Sequence, residues 1–144
     1  MVRTSRSGDA WVVDDPGAEQ LGSLTLPGDL TSAAPARRFV EQILDGRVED
    51  VPAVALMTSE LVTNVANHAP SDLTLTVRVG PPIRVEVHDG VAATEAFREL
   101  IHGGGGMPDV SAIRGRGLPL LRLFATRVGL DDDARGGKVV WFEV

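Results

Sequence analysis

The chain has 144 residues, close to one ordinary domain, and that length buries roughly two-thirds of the unfolded surface, so a core can form without metals or disulfides. There is no Cys, which excludes disulfides, thiolate zinc sites and a catalytic thiol; the three histidines, His68, His88 and His102, are widely spaced, which leaves only an oxygen-ligated ion such as Mg²⁺ easy to accommodate. A balance of 14 basic against 20 acidic residues, with Lys138 the single lysine, speaks against nucleic-acid binding, and apolar runs far short of the roughly 18 residues of a membrane span, with no apolar h-region in residues 1–15, lead to the expectation of a soluble cytoplasmic protein.

The first 21 residues read as a polar tail, flexible or an edge strand, and residues 23–26 as a short strand ending at Pro27-Gly28. From Thr31 the apolar period becomes helical: Ala36, Phe39, Val40, Ile43 and Leu44 share a face, with Thr31 or Ser32 as N-cap, Pro35 in the first turn and Gly46 beyond the end. A second helix is predicted from Asp50 to about Ala69, with Val54, Ala55, Leu61, Val62, Val65, Ala66 and Ala69 on its core side. Residues 73–79 and 83–87 alternate around Gly80-Pro81-Pro82 and predict an antiparallel hairpin. Thr94 is placed to cap a short helix through Phe97, Leu100 and Ile101, followed by six glycines in the sixteen residues 102–117, a stretch expected to be mobile until something binds it. A third main helix over 117–126 and a final hairpin of 127–130 with 138–144 complete the reading. Local strand pairing with long helices over one face makes an α+β two-layer sandwich.

Three features carry candidate chemistry. On the second helix Glu60, Asn64 and Asn67 fall within about 60° of one another, opposite the core side, beside Leu56 and Met57. A generic amphipathic helix would present this as a wet face, but short amides replace the usual Lys and Glu; an Asn oxygen suits Mg²⁺ and a carboxylate can deprotonate a nucleophile. Next, residues 85–90 form a strand ending in Asp89-Gly90, ordinary turn chemistry when taken alone. Last, Arg114-Gly115-Arg116-Gly117-Leu118 opens a helix, where free backbone N–H groups and arginines suit polyphosphate. No Walker loop, dinucleotide-binding glycine pattern, strand lysine of the eukaryotic kinase type or nucleophile elbow is present.

Taken in order these features resemble the GHKL ATPase superfamily, in its RsbW-like anti-sigma-factor serine/threonine kinase branch. Residues 60–69, Glu60-Leu61-Val62-Thr63-Asn64-Val65-Ala66-Asn67-His68-Ala69, look like the N-box; residues 85–90 look like the strand with the adenine-reading Asp; Gly115-Arg116-Gly117-Leu118 looks like the second glycine box; and residues 136–143 look like the closing strand. Leu26-Pro27-Gly28 followed by residues 36–40 is similar to the family's opening, so the resemblance spans residues 22–144.

The resemblance implies a Bergerat-type fold, a mostly antiparallel mixed sheet with helices on one face, forming one ATP-binding domain over 22–144. It implies ATP and Mg²⁺ as cofactors, Asn64 as the Mg²⁺ ligand, Glu60 as general base, Asp89 with Gly90 at the adenine, and Gly115, Arg116, Gly117 and Leu118 at the phosphates. The implied activity is transfer of the ATP γ-phosphate to a Ser or Thr of an STAS-type anti-sigma antagonist, with sequestration of a sigma factor, by a chain for which a homodimer is an open state. The alternative is a nucleotide-binding interaction module with little or no kinase activity. Val91-Ala92-Ala93 stands where the superfamily has a small polar residue or a second glycine, and Val139 where relatives usually have Thr; these favour the module, while Glu60 and Asn64 favour the enzyme. His68 is expected to be structural, and Arg37 and Arg38 lie on the exposed side of the first helix.

Overall fold

In strands, side chains alternate between two faces, so runs such as Leu73-Thr74-Leu75-Thr76-Val77 can bury one edge of every residue pair and leave the other polar. The computed structural model describes residues 19–68, 71–79, 82–102 and 124–144. Its strands are β1 (Glu19–Leu26), β2 (Leu73–Val79), β3 (Arg84–Asp89), β4 (Arg127–Asp132) and β5 (Lys138–Glu143). They form one open sheet in the order β1-β2-β3-β5-β4. Every pairing among these strands is antiparallel, so the mixed sheet expected above is corrected to an antiparallel one. The physical reason is local connection: β2 with β3 and β4 with β5 return directly on themselves, and β5 then pairs antiparallel with β3. The edge strand β1 begins at Glu19, earlier than the predicted residue 23, with an irregularity of register between Gln20 and Gly22.

The helices form because each has a start signal and an apolar face. Asp29 Oδ1 accepts the Thr31 N–H at 2.8 Å and opens a short 3₁₀ turn, Leu30–Ser32, that runs into α1 (Ala33–Leu44). Asp29, rather than Thr31 or Ser32, thus supplies the cap; the Ser32 hydroxyl donates to the Pro27 carbonyl instead. Ala36, Val40 and Leu44 are buried, Arg37 and Arg38 are exposed, and Gly46 ends the turn at φ +75°, a conformation that favours glycine. In α2 (Val51–His68) the Asp50 carboxylate accepts the Ala53 N–H at 3.0 Å. Thr94 Oγ1 accepts the Phe97 N–H at 3.0 Å and opens α3 (Glu95–His102), which buries Phe97 and Ile101.

Val54, Ala55, Leu61, Val62, Val65 and Ala66 of the predicted core side of α2 are buried, Ala69 lying outside the described residues, but so are Met57, Thr58, Ser59 and Asn64. This corrects the reading of a polar stripe facing away from the core at Asn64, while Glu60 is half-buried and Asn67 exposed. Because α2 packs on α1 as well as on β3, little of its circumference meets water; Leu56 and Asn67 do. Its hydroxyls stay satisfied inside the helix, with Thr58 and Thr63 donating to the carbonyls of Val54 and Ser59.

One face of the sheet (Leu73, Leu75, Val77, Val85, Val87, Val140, Phe142) joins α1 and α2 in a single core. The opposite face is polar and interlocked. Glu86 meets Arg78 at 3.0 Å and His88 at 3.2 Å, Glu143 meets Arg84 at 2.9 Å, and Arg84 stacks 3.9 Å above the Trp141 ring, whose Nε1 donates to Asp131. Burial works to raise the Glu86 carboxyl, but the His88 contact together with the charge and hydrogen bond of Arg78 hold it below its ordinary value. No described helix is long and apolar enough to cross a membrane. The glycine-rich stretch 103–117 and residues 117–123 of the predicted third helix lie outside the described residues; Ala125 and Thr126, also predicted helical, are not.

Candidate functional site

Strand alternation puts Asp89 on the same face of β3 as Val85 and Val87, and Lys138 on the same face of β5 as Val140 and Phe142. The β3–β5 register then makes Asp89 and Lys138 direct cross-strand partners. Where the pattern would place two more apolar residues, the sheet carries an acid and the chain's single lysine, with side chains 0% and 1% exposed. Burial of this kind is tolerable for charges only when they are paired and hydrogen-bonded.

The pairing is lopsided. Asp89 Oδ1 accepts the Val91 N–H at 2.7 Å and Lys138 Nζ at 3.1 Å. Nζ also donates to the Val91 carbonyl at 3.0 Å and stands 5.0 Å from the centre of the Phe97 ring. Oδ2 is 2.9 Å from Nζ, near enough for charge pairing but out of line for a hydrogen bond. It is thus a buried acceptor with no hydrogen-bond donor among the described residues. The two strands close tightly here: a Cβ on Gly137 would lie 1.9 Å from the Asp89 carbonyl oxygen. Gly90, exposed, donates its N–H to Ser71 Oγ at 3.3 Å.

The end of α2 reaches the same corner. The His68 ring packs edge-on against Phe97 with centroids 5.2 Å apart, and Phe97 in turn faces Lys138. His68 therefore packs on an aromatic ring, a contact other than the helix-end backbone bond its position suggested. Asn64 and Glu60 lie one and two turns before His68, roughly 6 and 12 Å back along the helix axis. Asn64 is buried and its Nδ2 donates to the Glu60 carbonyl at 3.0 Å, which leaves the side-chain oxygen as the half of the amide available to a further ligand. Glu60 is half-buried and forms no ion pair with a described residue. Asn67 is exposed and apart from this group. Gly115, Arg116, Gly117 and Leu118 lie outside the described residues.

Two participants escaped the reading of the sequence, Lys138 and Phe97. The signal for Lys138 was present in the alternation Lys138, Val140, Phe142, whose first member shares the core face. What was not visible was the partner, 49 residues away and set by strand order alone. A scan against protein-family models and a search of curated proteins find no match for the chain.

Proposed function

We propose that the chain is a Bergerat-type, GHKL-like ATP-binding regulator acting in the cytoplasm, a protein serine/threonine kinase that phosphorylates an STAS-type anti-sigma antagonist and sequesters a sigma factor. The observation that carries this reading is the buried Oδ2 of Asp89, an acceptor at the carboxyl end of a central strand that no described residue meets with a hydrogen bond. A buried acceptor without a hydrogen bond costs up to about 1–3 kcal/mol, part of which the ammonium 2.9 Å away offsets; a bound N–H donor relieves the rest, and the exocyclic amine of adenine is such a donor. Support also comes from the layer arrangement, an open antiparallel sheet with α1 and α2 on one face.

In this reading Asp89 orients the adenine, Asn64 offers a neutral oxygen to Mg²⁺, and Gly115, Arg116, Gly117 and Leu118 approach the phosphates. Mg²⁺ favours such a sparse protein shell because it keeps water and phosphate oxygens as its other ligands. Bound Mg·ATP supplies the transferable phosphoryl group and the neutralising charge. Glu60 accepts the proton of the partner's hydroxyl, a role open to a carboxylate that no described cation occupies.

A second reading, a nucleotide-binding module with little or no transfer, is favoured by Val91 and Val139, which stand where the superfamily has a small polar residue or glycine and a Thr. The two are separated by incubating the full chain with labelled ATP, Mg²⁺ and the antagonist. Label on a Ser or Thr of the antagonist is the expected result. A stable, ATP-loaded complex without label selects the module.

A further inference from the structure

We propose that Lys138 is a positioning residue that makes Asp89 selective for a purine bearing an amine, rather than an oxygen, at its six-position. The inference rests on the reading of Asp89 as the group that meets the base, and concerns how this chain sets the acid for that task.

The Lys138 ammonium carries three N–H bonds. One goes to Asp89 Oδ1 and one to the Val91 carbonyl, while the ammonium faces the ring of Phe97. With two N–H bonds donated and the ammonium 1% exposed against that ring, Lys138 presents no donor to a ligand. What it leaves is Oδ2, so the pair offers an incoming base one acceptor and no donor. An amine satisfies that acceptor; a carbonyl oxygen in its place meets a second oxygen and finds nothing to accept from.

Charge points the same way. The carboxylate and the ammonium cancel inside a region with side chains 0% and 1% exposed, so the site holds no net charge to draw a cation. It suits a neutral N–H donor. Orientation follows too: Val91 donates to Oδ1 through its N–H and accepts from Nζ through its carbonyl, so Asp89, Val91 and Lys138 close a ring that stops the carboxylate from turning. Without Lys138 that ring opens, and Oδ1 keeps a single donor.

The test compares ADP with inosine diphosphate, which carries an oxygen in place of the amine, by calorimetry on the full chain and on Lys138→Met. The intact chain is expected to prefer ADP by about tenfold or more, and Lys138→Met to bring the two within about threefold, mainly by weakening ADP. Parallel weakening of both, with the ratio kept, would mean that Lys138 only supports the fold and would overturn the inference while leaving the nucleotide reading intact. Binding of neither nucleotide by the intact chain would overturn that reading and the inference with it. Should the variant not fold, the intact protein still decides: selective ¹⁵N-lysine labelling gives one side-chain signal, because Lys138 is the only lysine. A shift of that signal on saturation with ADP and a smaller one with inosine diphosphate are expected. A signal that ignores bound ADP overturns the inference.

Discussion

Removing either member of the Asp89–Lys138 pair leaves the other buried and unpaired, whereas removing both leaves only an apolar contact to be filled. Asp89→Leu and Lys138→Met are therefore each expected to lower stability by roughly 3–5 kcal/mol, and the double variant by much less than their sum. Urea denaturation of the four proteins measures this; additive losses would mean that the two groups do not depend on each other. At Glu60 the expectation concerns chemistry alone. Glu60→Gln keeps shape and hydrogen bonding but removes the proton acceptor, so nucleotide affinity should survive while transfer to the antagonist falls by about 10² or more; unchanged transfer would remove Glu60 from the role of base. Asp89 and Asn64 stood out in the sequence because an acid closing a strand and an amide within a helix are chemically conspicuous. The burial of Asn64 did not, because helical angle says which residues share a side but not how many sides a helix has covered. Here α1 covers a second side of α2.

Elements show the same division. The bounds of β2 match its alternation end to end, and α3 begins where Thr94 can cap it, since both signals are local. The opening of α1 differs because Asp29 competes for the same free N–H groups and wins through the 3₁₀ turn. The strand order is not local at all: β5 between β3 and β4 is decided by which apolar faces fit. Its tightest point is Gly137, where a Cβ would strike the Asp89 carbonyl oxygen at 1.9 Å. Gly137→Ala should force β5 away from β3 and cost about 3 kcal/mol or more, read as a fall in melting temperature. On the outer face of the sheet, Glu86 titrates below the ordinary 4.5 of a glutamate when folded. The unfolded chain thus binds more protons in that window; the stability Glu86 contributes is complete above about pH 4.5 and is lost as pH falls through the lowered value. Arg78→Ala removes a cause of the lowering, so its melting temperature should fall less steeply than that of the intact chain between about pH 5 and 3. Identical slopes would mean that Arg78 does not set this titration.

Across the whole molecule, two faces of one sheet do different work. One is sealed by α1 and α2 around an apolar core. The other is polar and held by interleaved Arg and Glu, with Trp141 between β3 and β4. The candidate site lies where the sealed layer ends, at Asp89, so a base held there is expected to tie sheet, α3 and the end of α2 together. The most direct measurement is a calorimetric titration of the full chain with ATP and Mg²⁺, repeated on Asp89→Asn and paired with thermal melts. Saturable binding by the intact chain, a stabilisation of roughly 2.7 kcal/mol with ligand at 100 times its dissociation constant, and loss of both in Asp89→Asn are expected. No heat and no shift in melting temperature for the intact chain at millimolar ligand would contradict the nucleotide reading.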